Sequence, residues 1–260
     1  MILGDLIEHL QKVAPEDFAQ DWDNVGLLVG DRKQEIKKIF IALDADEAAI
    51  AQAKAVGAQL LLTHHPLIFS PLKKINCDYF ISARVVELLR SQMSYYAMHT
   101  NFDAAKMSEL AAERMGLTVE APLADIFTRD GKDYGIGVVG SLKEPEAIAG
   151  LCAVVKEAFG LDAVKLFRAE TGPISRVAIC PGSGKSTIGD AIAAGAQVLI
   201  TGDIDHHSGI DAVAQGLSII DAGHYGIEHI FIGYMEQYLK EHLQGVEIFA
   251  QGRRDPFIVL

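Results

Sequence analysis

Apolar and polar positions along the chain alternate between the two periods expected of an α/β protein. Leu3, Leu6, Ile7, Leu10 and Val13 recur at helical spacing, and Pro15 closes that first helix. Asp21 to Gly30 reads as a polar turn feeding a short strand bounded by glycines. Ile39 to Leu43 is a buried strand, Asp46 a helix N-cap, and Glu47 to Val56 an Ala-rich helix ended by Gly57. The strand Leu60 to Thr63 runs into His64, His65 and Pro66, and the proline stops the ladder there. A helix from about Ser82 to Arg90 follows. After it come the strand Tyr95 to Met98, the polar stretch His99 to Asp103, and a helix over Ala104 to Met115.

A second series begins near Pro122. Asp125 to Lys132 is polar, Tyr134 to Gly140 starts a strand, and Glu144 to Phe159 is a helix with Gly160 as its stop. Val164 to Phe167 and Arg176 to Cys180 read as strands, and a glycine-rich turn leads into a helix ending at Ala194. A helix through Asp211 to Gln215 and the strand Leu217 to Asp221 precede a helix from His224 to about Leu243 and a last strand, Val246 to Phe249.

The two series are copies. Gly57 to Thr63, GAQLLLT, returns as Gly195 to Thr201, GAQVLIT, and the same offset superposes the strand around Ile41 on that around Ile179. The expected fold is therefore α/β, two pseudo-duplicated domains with mostly parallel sheets, residues 1–123 plus 221–260 forming one and 124–220 the other.

Composition narrows the function. The 260 residues are 50% hydrophobic and 7% aromatic, an α/β composition with ample core. A net charge of −12 disfavours a nucleic-acid backbone as a general partner, although a locally basic channel stays open. No apolar run reaches membrane-spanning length and no basic-then-apolar leader is seen, which points to a cytoplasmic protein. Cys77, Cys152 and Cys180 are odd in number and far apart, so neither a disulfide framework nor a thiolate zinc site is expected.

Ligands of parallel sheets bind outside the carboxyl ends of the strands, and three sets of metal-binding residue types fall there: His64 with His65, then Asp103, then His224 with Glu228. Neighbouring side chains on an extended backbone leave on opposite sides, so His64 and His65 are expected to serve different ions. Three imidazoles and two carboxylates suit Zn, Mn, Fe, Co or Ni rather than Ca, and five such ligands favour a pair of divalent ions about 3.5–4 Å apart. Each set also has a plainer reading. His64 and His65 can stand on a surface turn, Asp103 can cap the helix after it, and His224 with Glu228 can be an exposed helical pair.

In combination, DWDNVGLLVG, LLTHHPLIF, HTNFDAA, the TGD…HH segment, DAGHYGIEH and the terminal Asp255–Pro256–Phe257 resemble the NIF-three-like family. Its members are widely named GTP cyclohydrolase I type 2 homologues. The resemblance implies a dinuclear centre on His64, His65, Asp103, His224 and Glu228, two interlinked α/β domains, and a toroidal homohexamer with the metal sites facing its interior. It implies GTP as substrate, opened at the purine ring with loss of formate; nucleotide or phosphoester hydrolysis suits such a site equally. From its place just before Asp103, His99 reads either as a group that orients a ligand or moves protons or as a satisfied semi-buried histidine, and Glu228 is the other catalytic candidate. The reading from another class is a metal-binding regulatory or scaffold ring without turnover.

The remaining features are secondary. Asp23 and Asp44 read as caps, and His206 and His207 as neighbours of the mirrored strand end. Pro181 to Ser186 ends in Gly-Lys-Ser, but a Walker A loop needs glycine where Ile179 stands, so either an anion-binding nest assisted by Lys185 or a plain tight turn is expected. Cys180 has no identifiable partner base.

Overall fold

The computed structural model describes residues 1–169 and 172–258. In α1 (Leu3–Val13) the apolar stripe Leu3, Leu6, Ile7 and Leu10 is buried, as the spacing requires. The strands β1 (Gly26–Val29) and β2 (Lys38–Ala42) lead to α2 (Glu47–Ala55), which starts where the Asp46 carboxylate accepts from the Ala49 amide at 2.7 Å. All four residues of β3 (Leu60–Thr63) are buried; α3 (Phe80–Arg90) and β4 (Ser94–Ala97) follow. Then α4 (Thr100–Phe102), a π-helical segment over Asp103–Met107 and α5 (Ser108–Arg114) form one helical run. Asp103 consequently lies inside a helix and does not cap one. The amide of Thr100, at the start of this run, donates instead to Asp23.

Next comes a long hairpin, β5 (Thr118–Arg129) with β6 (Lys132–Glu146), closed by Asp130 and Gly131, both at positive φ. The stretch read as merely polar is thus the hairpin's tip. β6 also takes over residues expected in a helix, because Glu144 precedes a proline and is biased to extended backbone, so α6 (Ile148–Phe159) starts later. The rest is β7 (Lys165–Phe167), β8 (Ile174–Ser183), a 3-10 turn at Gly184–Thr187, α7 (Ile188–Ala193) and β9 (Val198–Gly202). It ends with α8 (His206–Ala214), β10 (Ser218–Asp221), α9 (His224–Glu228), α10 (Ile230–His242) and β11 (Glu247–Ala250). The expected single helix to Leu243 is interrupted at His229.

By contacts, the chain divides into one unit of residues 1–102 and 231–254 and another of 103–230 and 255–260, so each unit's chain is completed on either side of the other's. The first unit holds a five-stranded sheet in the order β1-β4-β3-β2-β11, the second a six-stranded sheet in the order β5-β6-β8-β9-β10-β7. Parallel pairings outnumber antiparallel ones, five to four among the described residues. The antiparallel pairings lie outside the parallel core of each sheet. In the first unit Phe40, Leu61 and Tyr95 pack with Ala49 and Ile50 of α2 and with Val85 and Leu88 of α3. Ala178, Leu199 and Ile219 make the corresponding core with Ala191 of α7 and Ala212 of α8.

The duplication extends to individual bonds. Ile39 pairs with Leu60 as Val177 pairs with Val198, and Leu60 with Ser94 as Val198 with Ser218. The Gln59 side-chain oxygen accepts from the amides of Lys37 and Lys38, and that of Gln197 accepts from Ser175 and Arg176. One glutamine thus pins two strands in each unit. Replacing Gln59 or Gln197 by Ala should leave two amides without that acceptor and destabilise by about 1–2 kcal/mol in either copy. Calorimetry should show a fall of roughly 2–4 °C per kcal/mol; an unchanged melting temperature for both variants would refute the role.

Candidate metal centre

In the first unit the histidines stand where β3 ends. The regular strand stops at Thr63, the His65 amide still donates to Leu43 O at 3.0 Å, and the ring centroids of His64 and His65 lie 4.9 Å apart. Three hydrogen bonds fix the turn. The Thr63 and Tyr95 hydroxyls each donate to His65 O at 2.8 Å, and the Leu67 amide donates to the Tyr95 hydroxyl at 2.8 Å. Tyr95 is fully buried, and burial raises its phenol well above its ordinary range.

Each ring is held by its Nδ1. That atom lies 2.7 Å from Met98 O in His64 and 2.7 Å from an Asp44 oxygen in His65. In His99 it lies 2.9 Å from both oxygens of Asp23, which also accepts from the Thr100 amide and hydroxyl. A carbonyl or carboxylate can only accept, so the proton belongs on Nδ1 and the lone pair on Nε2. His64, His65 and His99 bring ligand nitrogens within 4.8 Å of one another. His64 is fully buried against the rings of Phe102 and Phe231, at 6.2 and 5.4 Å.

The second unit carries the other candidates. His224 opens α9 after Gly223, and its Nδ1 lies 2.8 Å from an Asp203 oxygen. One turn on, the buried Glu228 places an oxygen 3.0 Å from His224 Nε2. With Nδ1 carrying its proton, two lone-pair donors face each other there, an arrangement that demands a second ring proton or a cation. Donors each about 2.0–2.2 Å from one ion stand near this separation, so the pair fits a metal such as zinc. Asp103 and Glu228 bring carboxylate oxygens within 4.8 Å of each other, and Asp103 sits in a π-helical segment, a distortion frequent at functional sites.

The glycine-rich turn has a packing role. A Cβ on Gly182 would stand 2.3 Å from Glu228 Oε1, and one on Gly184 2.2 Å from the Thr201 hydroxyl, which accepts from the Gly184 amide. Lys185 pairs with Asp205 at 2.8 Å. Of the two readings, the tight turn is what the geometry favours. Burial pushes the Cys180 thiol up to about 12, helped by the charges of Asp103 and Glu228, so it is not poised as a nucleophile. His206 and His207 are exposed in the first turn of α8, outside the clusters found among the described residues.

A profile of one family, Duf34/NIF3 (NGG1p interacting factor 3), matches residues 1–256. The chain belongs to this family. A Clostridium perfringens member named "GTP cyclohydrolase 1 type 2 homolog" is 34% identical across 99% of both chains, and a Lactococcus lactis member of the same name is 35% identical across 99% of both. Among solved structures, a Bacillus cereus protein related to NIF3 superposes with a TM-score of 0.90 over 100% of this chain and 99% of its own, at 24% identity, which speaks to fold. HcgD from Methanocaldococcus jannaschii superposes with a TM-score of 0.84 over 96% and 97%, at 30% identity.

In this NIF3-family chain, sequence reasoning missed the residues that aim the histidines. Asp23 and Asp44 read as caps, and Asp203 had no role. A signal existed for Asp203, which is the copy of His65 at the repeat offset.

Two predictions follow from these contacts. Gly182→Ala forces a side chain onto Glu228 at φ +77°, so zinc titration should show affinity at least about tenfold weaker. Wild-type affinity would remove the packing role. For Asp23, burial alone would raise the carboxyl, but the hydrogen bond and charge of His99 and the bonds from Thr100 outweigh it and hold it at about 2, against an ordinary 3.8. The depressed value makes its stabilisation present above about pH 4 and lost as pH falls toward 2, roughly 2 kcal/mol in all. Urea unfolding should therefore show a gap between wild type and Asp23→Asn that is full at pH 6 and closes near pH 2.

Proposed function

We propose that His64, His65, Asp103, His224 and Glu228 together hold two divalent ions, and that the protein is a metal-dependent hydrolase acting on a nucleotide or another phosphoester. The observation that carries this reading is the fastening of His64, His65 and His224 through Nδ1 to an oxygen acceptor, which leaves Nε2 as the donor of all three. Connectivity supports the convergence. Asp103 follows Phe102, Glu228 stands three residues before Phe231, and both phenylalanine rings pack on His64. The mixed nitrogen and carboxylate set suits Zn, Mn, Fe, Co or Ni.

Bound there, the ions would supply Lewis acidity and lower the pKa of a water. The residues supply the rest. Asp23 keeps the Nδ1 proton on His99, so its Nε2 can take a proton from an attacking water and return it to a leaving group. Glu228, buried to 3% exposure beside His224, is the second group placed to act on the reacting atoms. The names of the relatives make GTP, opened at the purine ring with loss of formate, the first substrate to test. By the same family resemblance the working form is a toroidal homohexamer in the cytoplasm, a placement that three free thiols suit.

Elemental analysis of protein purified without chelator should find about two transition-metal ions per chain, and Glu228→Gln should abolish turnover of GTP or of a phosphoester in a substrate panel. Bound metal with no turnover anywhere in that panel would favour the regulatory or scaffold ring. Less than one ion per chain after loading with each candidate metal would end the proposal.

A further inference from the structure

Trp22 is the chain's one tryptophan, and it is 59% exposed. Beside it is Phe69, 54% exposed, with ring centroids 5.8 Å apart and planes tilted by 47°. An isolated exposed aromatic needs no explanation, but a pair built onto the candidate centre does. The Trp22 and His99 rings stand nearly perpendicular with centroids 6.1 Å apart, and the His99 centroid lies 5.3 and 5.7 Å from those of His64 and His65, so a line of rings runs from the surface to the histidine cluster within one unit.

The pair is also held in place. The Gln20 amide donates to the Thr100 hydroxyl at 2.9 Å, the Asp23 amide to Gln20 O at 2.9 Å, and the Asn24 side chain to Ile68 O at 2.5 Å. These bonds tie the two loops to each other and to the residue that follows His99. Asp23, next to Trp22 in the chain, is the residue that holds His99. Such a surface meets a flat ring without reorganising.

We propose that Trp22 and Phe69 form a stacking platform for a planar heteroaromatic ring of the nucleobase kind. The pair cannot be a slot. Admitting a third ring between them would take two carbon contact distances of about 3.5–4 Å each, more than the 5.8 Å available. The ring therefore lies on their outer faces. Past Phe69 the same exposed segment carries Lys73 and Lys74, which complement the phosphates of a nucleotide on a chain that is otherwise strongly acidic. The inference deepens the hydrolase reading by naming the part of the substrate that is recognised, yet stacking itself requires no ion.

That independence shapes the test. Because Trp22 is the one tryptophan, its emission reads the platform directly in the metal-stripped full-length protein. Titration with GTP, adenosine and inorganic tripolyphosphate, corrected for absorption against N-acetyltryptophanamide, should give saturable quenching by the first two and none by the third. Phe69→Ala, a change at an exposed side chain, should weaken both at least about tenfold. Lys73→Glu with Lys74→Glu should weaken GTP and leave adenosine unchanged. Equal quenching by tripolyphosphate, indifference to Phe69→Ala, or no saturable quenching at all would overturn the platform. So would blue-shifted emission shielded from acrylamide, which would mean that a second copy of the chain covers the pair. Metal analysis of the protein as purified, before it is stripped, separates the two readings: ions there without quenching after stripping remove the platform alone, and quenching without ions there removes the dinuclear centre alone.

Discussion

An imidazole offers two nitrogens, and whichever one is fastened to an acceptor decides which is left for chemistry. Six histidines among the described residues are fastened at Nδ1, His229 and His242 to carbonyls of their own helical turns and four at the strand ends to Met98 O, Asp44, Asp23 and Asp203. All four holders sit at the same kind of place. Asp44 lies just past β2, Met98 just past β4 and Asp203 just past β9. Asp23 precedes β1, but β1 is antiparallel to β4 with Gly26 opposite Ala97, so the start of β1 lies beside the end of β4 and next to His99. The one antiparallel strand of the first sheet thereby brings a fourth acceptor to an end that parallel strands alone would leave to loops.

Duplication supplied two copies of that strand-end geometry, and the copies have diverged where they meet the chemistry. Register, the left-handed glycines at 57 and 195, and the clamping glutamines are the same in both. At the strand ends the correspondence turns from identity into complementarity. Asp44, which holds His65, is matched by Gly182, which makes room for Glu228; His64 is matched by Gly202, where a Cβ would stand 2.6 Å from the His224 amide nitrogen.

The fold was largely readable because buried parallel strands advertise themselves as apolar runs and because the repeat could be seen directly in the letters. The hairpin β5–β6 was not, although Asp130–Gly131 is a strong turn signal, because the residues flanking it are polar and largely exposed. The candidate ligands were readable as residue types placed after strands. Their holders were not, since an aspartate that accepts one imidazole proton looks the same in sequence as an aspartate that caps a helix. Asp23 does both: it accepts from His99 and from the amide that opens α4. The glycine-rich turn shows the converse hazard. Its resemblance to a phosphate loop lies in composition, whereas its glycines are required by what Glu228 and Thr201 must approach.

The repeat also explains why the candidate ligands fall where they do. In the first unit the Met98 amide donates to Thr63 O, and in the second the Ala222 amide donates to Thr201 O, so the ends of β4 and β10 correspond. The end of β3 carries the ligand candidates His64 and His65, while the end of β4 carries His99, a histidine suited to moving protons. In the second unit the roles are exchanged: the end of β9 supplies the holder Asp203, and the end of β10 supplies His224 and Glu228. Each of these histidines takes its holder from a neighbouring strand end. Two copies with the assignment reversed let both units present donors, which one strand pair repeated unchanged would have done only by duplicating its acceptors as well.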